Sequence, residues 1–271
     1  MIPVDAQTMR EIAPHFSGAL AEQQNAIVTA VGAVLADTLA RYGIDNRLRI
    51  AHFLAQTCHE SAGFRTTEEF ASGQAYEGRA DLGNDQPGDG PRYKGRGLLQ
   101  LTGRANYRSL GKTLGLPLEA QPELAAQPVL SLTIACEFWK SRAINPLCDA
   151  DDVVAVTRKV NGGTNGLEDR RALTAKAKAA IARLQGLALA SDAPPGLGRP
   201  VLRRGSGGDA VGDLQRLLRR LGFMVAVDND FGAGTEVAVA AFQREQRLAP
   251  VDGIVGQATW AALDRAVKAA G

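Results

Sequence analysis

The sequence has 271 residues, 45% of them apolar and 22% charged, a composition that excludes a disordered or collagenous chain and fits an ordinary globular protein. Thirty-one Lys and Arg against 29 Asp and Glu leave a formal charge of +2, too small to require a nucleic-acid partner. The longest apolar stretches, such as Ala238 to Phe242, fall far short of the roughly 18 to 20 residues needed to cross a bilayer, so no membrane insertion is expected. Met1 to Leu20 lacks the basic start and apolar run of a secretory signal. Three cysteines (Cys58, Cys136, Cys148) are an odd number at unrelated spacings, which argues against a disulfide framework and for a reducing compartment of synthesis.

Along the chain, Leu48 to Glu60 (LRIAHFLAQTCHE) contains no Gly or Pro and has apolar side chains on nearly all faces, which predicts a largely buried helix. Glu60 ends it, where the negative end of the helix dipole disfavours the ionised carboxylate and suits a general acid. Ser61-Ala62-Gly63 should break the helix, and FRTTEEF then brings Glu68 and Glu69 onto a returning segment, so that two carboxylates face one cleft. Such a pair is what glycoside hydrolysis requires: one acid for the leaving oxygen, one carboxylate for water or for direct attack. Tyr93 to Thr102 (YKGRGLLQLT) reads as a short extended edge whose glycines let backbone approach a ligand. Trp139, in a helical apolar run with Ile134, Ala135 and Phe138, reads as core. Leu173, Ala177, Ile181 and Leu184 keep helical spacing in a last helix, and LALASDAPPGLGRP, residues 187–200, reads as a linker. The expected domains are therefore 1–186 and 201–271.

Beyond the linker, Val211, Leu214, Leu217, Leu218 and Leu221 fall on one helical face. Asp228-Asn229-Asp230-Phe231-Gly232-Ala233-Gly234-Thr235 and Asp252-Gly253-Ile254-Val255-Gly256-Gln257-Ala258-Thr259 share the form D-[NG]-x-[FV]-G-x-x-T and start 24 residues apart. Each predicts a tight turn in which Asn or Gly takes positive φ, followed by a Thr placed to cap the next helix. The expectation is three helices joined by two equivalent turns.

The blocks LRRGSGGDAVGDLQRLL, DNDFGAGTEVAVAAFQREQRL and VDGIVGQATWAAL resemble the three-helix peptidoglycan-binding domain of cell-wall hydrolases. Upstream, HESAGF, YKGRGLLQLTGRANY, PELAAQPVLSLTIACEFW and VNGGTNGLEDRRA occur in the order found in family 19 glycoside hydrolases, the chitinases and lysozyme-like phage endolysins, which they resemble from about Ile44 to Leu184. The resemblance implies a mainly α, lysozyme-like α+β catalytic domain with minimal β, followed by the small helical domain. It places Glu60 on the general acid and favours Glu69, then Glu77, as the base of an inverting mechanism. Gln100, Thr102 and Asn106 would contact sugar or hold the attacking water, and Asn161 and Arg170 would support the cleft. Apart from the resemblance, Tyr76, Tyr93 and Tyr107 are aromatic residues that can offer a face to a sugar ring, Tyr93 foremost. Ala71 stands where phage-type members can carry Thr, which moves water positioning to Thr102. Three histidines without an H-E-x-x-H pattern and no Cys pair at ligand spacing argue against a metal site, and no other cofactor is expected. A wall hydrolase with no signal and unpaired thiols looks like a phage endolysin, a monomer held in the host cytoplasm until a holin opens the way to the wall. Chitin is the alternative polymer. A wall peptidase using Cys58 with His52 or His59, and a wall-binding protein without catalysis, are the readings from other classes.

Overall fold

The computed structural model describes residues 2–191 and 199–269, and of 185–191 the backbone alone. It is mainly helical, and the chain divides into two compact units, 1–182 and 183–271. Among the described residues no helix is long and apolar enough to cross a membrane.

The first unit opens with α1 (Ala6–Ile12), α2 (Gly18–Gly32) and α3 (Leu35–Arg41), which pack on one another and on a later helix. Asp5 starts α1 with a reciprocal capping box to Thr8. Next comes α4 (Arg47–Glu60), capped by the Asn46 side chain accepting from Arg49 N–H at 2.9 Å. Every residue from Ile50 to Cys58 is buried, the all-round burial expected of a helix with no polar face. The helix ends as Ser61-Ala62-Gly63 predicts, but more sharply: Ala62, Gly63 and Phe64 are all left-handed, with φ of 50°, 80° and 62°. Left-handed backbone at Ala62 and Phe64 is costly, and Ser61 helps to hold the turn, its hydroxyl accepting from Phe64 N–H at 3.1 Å while donating to the Thr57 carbonyl at 2.6 Å.

The short α5 (Asp89–Arg92) and α6 (Arg104–Leu114) bracket the extended edge. Strand content there is minimal: isolated antiparallel bridges join Glu68 to Arg96 and Arg96 to Leu101 around a tight loop at 97–100. Then α7 (Pro128–Ser141) packs against α2 and α3, and its Trp139 is fully buried edge-on to Phe53 at 5.1 Å. Finally α8 (Asn145–Asp149) and α9 (Val153–Asn161) lie against α4, and α10 (Leu167–Ser191) closes the order. That last helix runs further than its sequence pattern predicts, so 187–191 are helical rather than linker; 192–198 fall outside the described residues.

In the second unit α11 (Asp209–Arg220), α12 (Ala233–Glu245) and α13 (Gln257–Ala269) surround a core that includes Leu214, Phe231, Val239, Phe242 and Trp260. Asn229 and Gly253 are left-handed at the corresponding positions of the repeat, with φ of 61° and 71°. The expected threonine caps are not caps. Thr235 and Thr259 lie inside the first turns of their helices, each taking a hydrogen bond from a buried glutamine of the preceding helix. Gln215 Nε2 donates to Asp228 Oδ1, the Asp230 carbonyl and Thr235 Oγ1, while its Oε1 accepts from the Asp228 and Asn229 amides. Gln243 does the same for Asp252 Oδ1, the Ile254 carbonyl and Thr259, and accepts from the Asp252 and Gly253 amides. The repeat thus has a second half, a glutamine outside the turn motif that saturates its backbone.

Candidate active site

Glu60, the last residue of α4, is partly open, with 17% of its side chain exposed. Arg170, in the first turn of α10, is fully buried, and its guanidinium faces both Glu60 Oε1 and Gln56 Oε1 while Nε donates to the Asn165 carbonyl at 3.1 Å. Gln56 in turn donates to Thr157 Oγ1 at 3.2 Å, and Thr157 donates to the Val153 carbonyl at 2.7 Å. A buried polar relay from α9 through α4 to α10 therefore sets the direction of the Glu60 carboxylate. The Glu60 carboxylate meets the full positive charge of Arg170 as well as the C-terminal end of α4. His59 completes the joint, with Nδ1 at 2.6 Å from Asp169 Oδ2. A Cβ on Gly166 would lie 2.3 Å from the His59 ring, so only glycine lets α10 start this close to α4.

A second cluster gathers around Gly95. Glu69 N–H donates to the Gly95 carbonyl at 2.9 Å, and Glu69 Oε2 accepts from Tyr76 Oη at 3.0 Å. Burial, and then the hydrogen bond to Glu69, raise the Tyr76 phenol, which keeps it a donor. Glu69 Oε1 has no hydrogen-bond partner among the described residues. A Cβ at Gly95 would stand 2.8 Å from both Glu69 Oε2 and Gln100 Oε1, so the glycine is the space into which these two side chains converge. Gln100 itself is left-handed at φ 53° and donates from Nε2 to the Gly97 carbonyl at 2.9 Å. Thr102 Oγ1 donates to the Gln100 carbonyl at 2.9 Å, and Asn106 Nδ2 donates to the Thr102 carbonyl at 2.7 Å, so the three polar residues 100, 102 and 106 form one connected chain.

The neighbouring carboxylates are otherwise engaged. Glu68 lies 3.1 Å from Lys94 Nζ and 3.4 Å from Arg96 Nε. Glu77 accepts from the Gly88 and Gly90 amides at 2.6 and 2.8 Å and so pins the 88–90 loop. Both contacts of Glu68 fall on Oε1, so Glu68 and Glu69 each keep one oxygen with no partner among the described residues, whereas Glu77 uses both; only Glu69 also converges with Gln100 on Gly95. Asn161 is exposed at the C-terminal end of α9, before the left-handed Gly162, and joins neither cluster through a described hydrogen bond.

Tyr93 needs correcting. Only 2% exposed, it packs against Tyr107 at 5.4 Å between centroids, and its hydroxyl donates to the Glu119 carbonyl at 3.0 Å, so it offers no face to a sugar ring. Gln56 is the residue of these clusters that the sequence does not single out, although it stands four residues before Glu60 on the same helical face; Tyr76, an aromatic candidate for a sugar ring, instead donates its hydroxyl to Glu69. The thiol reading also fails: Cys58 is fully buried, and burial pushes its thiol up to about 12.

The model of the chitinase class I family, glycosyl hydrolase family 19, matches residues 21–163, and that of a putative peptidoglycan-binding domain matches 207–263. The chain belongs to the family 19 glycoside hydrolases. A family 19 domain-containing protein of Haemophilus influenzae is 30% identical over 174 residues, which cover 53% of this chain and 85% of that one. An endochitinase of Arabidopsis thaliana is 38% identical over 130 residues, 47% of this chain and 44% of that one, so the hydrolase spans less than half of the plant relative. Among solved structures, a chitinase C mutant aligns with a TM-score of 0.52 at 21% identity, over 67% of this chain and 77% of that one, a likeness of fold. The chain is thus a family 19 hydrolase joined to a peptidoglycan-binding domain, and its minimal strand content and helical C-terminal unit are those expected from the sequence.

Proposed function

We propose that this hydrolase cleaves β-1,4 bonds between the amino sugars of bacterial peptidoglycan by a single inverting displacement, as an endolysin. Glu60 protonates the leaving oxygen; Glu69, with Gln100 and Thr102, directs water to the anomeric carbon from the opposite side. Arg170 is a positioning residue, holding Glu60 through the relay with Gln56. The reading rests on one observation above the others, the attachment of a peptidoglycan-binding domain to a family 19 domain. Tethering raises the local concentration of catalytic domain on an insoluble polymer. In this reading the protein acts as a monomer, waits in the host cytoplasm, and reaches the wall when a holin opens the inner membrane.

Chitin is the second reading, favoured by the endochitinases among the relatives. Digestion of purified sacculi, borohydride reduction and mass spectrometry of the products separate the two and identify the bond cut. A reduced muramic acid end is expected; intact sacculi alongside hydrolysed chitin oligomers would establish the chitinase instead. Glu60→Gln should lower kcat by about a thousandfold, within the range of a lost general acid. Equal rates in wild type and variant would remove Glu60 from the mechanism.

A further inference from the structure

A cavity of about 940 Å³ lies beside α6, lined in part by Asp89, Arg92, Tyr93, Arg104, Arg108 and Glu119. It lies beside a different face of the helix from the one that carries Asn106. Arg104 and Arg108 are four residues apart and share a face, whereas Asn106, two residues from each, points the other way. The lining is polar and built. Arg104 pairs with Asp89 at 2.5 Å, and Arg108 holds Glu119 through two hydrogen bonds of 2.8 and 2.7 Å. Arg92 has no carboxylate partner among the described residues: it donates to the Ala120 carbonyl at 2.9 Å and to Tyr93 Oη at 3.2 Å. The guanidinium centres of Arg92 and Arg104 lie 5.6 and 5.2 Å from the centre of the same Tyr93 ring, so two cations share one aromatic support. Asp85 adds a negative field felt by Arg104 and Arg108.

Guanidinium groups gathered around a cavity of ligand size, one of them without a countercharge, suit a planar carboxylate. Acids in and around the same lining disfavour a polyphosphate chain and accept an ammonium group. A neutral sugar polymer offers Arg92 hydrogen-bond acceptors but no countercharge. We infer that this cavity is a second binding site, taking the carboxylate-bearing stem peptide of peptidoglycan, with Arg92 as the residue that receives a carboxylate. The inference rests on the wall reading above and deepens it, because stem peptides distinguish peptidoglycan from chitin.

The test uses the full chain and a synthetic stem tripeptide, L-Ala-γ-D-Glu-meso-diaminopimelate, titrated by calorimetry and by amide NMR. Saturable binding is expected, with amide shifts clustered at 86–92 and 116–120, and Arg92→Gln should weaken it about tenfold, the loss of one charge-assisted contact. On sacculi Arg92→Gln should raise KM with kcat kept, while hydrolysis of neutral chitin oligomers stays as in wild type. Shifts confined to 201–271, tripeptide binding indifferent to Arg92→Gln, or saturable binding of inorganic phosphate in place of the tripeptide would each overturn the site. Because tripeptide binding needs no turnover, an enzyme that proved inactive on sacculi would refute the wall reading and leave this measurement decisive. Should Arg92→Gln fail to fold, the shift map of the wild-type chain decides alone.

Discussion

In the C-terminal unit one device is used twice: a buried glutamine, Gln215 or Gln243, reaches from a helix into the following turn and satisfies its amides, its carbonyl and its threonine. The catalytic unit has no such repetition. Its decisive contact joins residues 110 positions apart, Arg170 to Glu60, and its second cluster depends on a glycine that makes room for two side chains. The first arrangement spans at most 20 residues and has an uncharged amide at its centre; the second spans 110, has a guanidinium at its centre and is directed at a partly open carboxylate. Local satisfaction fixes a shape. Long-range charge placement sets the direction of the Glu60 carboxylate.

That contrast breaks most visibly at the glutamines. Gln243→Ala removes a side chain that is 2% exposed and leaves the amides of Asp252 and Gly253 without an acceptor. At about 1 to 3 kcal/mol for each buried group left unsatisfied, the C-terminal unit should lose about 3 kcal/mol or more. Calorimetry should show its unfolding transition moving down while hydrolysis of a soluble oligomer is kept and retention on sacculi falls. Gln215→Ala should behave alike; a silent substitution at either position would mean that the repeat is held by its turn residues alone.

Gly95→Ala probes the other side. The glycine is not left-handed, so alanine is allowed by the backbone, but its Cβ would displace the ends of Glu69 and Gln100, each 2.8 Å away. Both are flexible termini, so little stability should be lost. Misplacing catalytic groups by about 1 Å costs up to a hundredfold in rate. A fall of about tenfold to a hundredfold in kcat with an unchanged melting temperature is expected, measured on chitin oligomers; a large stability loss with normal turnover would make Gly95 a packing residue.

The same contrast explains what could be read from the chain. Periodicity found α4, α11 and the core position of Trp139, and Ser61-Ala62-Gly63 marked the turn, because these depend on neighbours in sequence. The doublet Glu68-Glu69 was visible, but not which of the two is tied up: that depends on Lys94 and Arg96, some 26 to 28 residues away. Tyr93 misled because an aromatic beside glycines looks accessible until Tyr107 and Leu118 close over it. The threonines of the repeat are legible but their partner is not, since a helix cap lies within a turn of sequence whereas Gln215 lies 20 residues from Thr235.

A smaller, pH-dependent effect belongs to the catalytic unit. His52 on α4 is fully buried, with Nε2 at 2.9 Å from Asp151 Oδ1 and Nδ1 without a partner among the described residues. Burial lowers the imidazole below its ordinary value against the opposing pull of Asp151. Asp151 is itself raised by burial but held below its ordinary value overall by Lys178 and His52. The unfolded chain therefore binds a proton at His52 near pH 6.5 that the folded chain resists, so stability is full above that value and falls as pH drops below it. Each pH unit between the two pKa values removes about 1.4 kcal/mol. Melting temperature should fall from pH 7 to pH 5, and His52→Asn should flatten that slope; the contribution of Asp151 is lost only at lower pH.

The smallest expected effect is none at all, and it separates the hydrolase from a thiol enzyme. Cys58, Cys136 and Cys148 are buried, and burial pushes Cys58 and Cys148 up to about 12 and Cys136 further in the same direction. Thiolate, the form that attacks both an alkylating reagent and a substrate carbonyl, is then scarce at neutral pH. Cys58 and His59 are adjacent on α4 and point about 100° apart, and His59 is turned to Asp169, so no thiol–imidazole pair forms there. Iodoacetamide applied to the folded protein should leave hydrolysis of sacculi and of chitin oligomers at the untreated rate, with mass spectrometry showing unmodified cysteines. Inactivation matched by a single alkylation at Cys58 would mean that α4 opens at its C-terminal end during turnover, and the aim of Glu60 would then have to be set in a conformation other than this one.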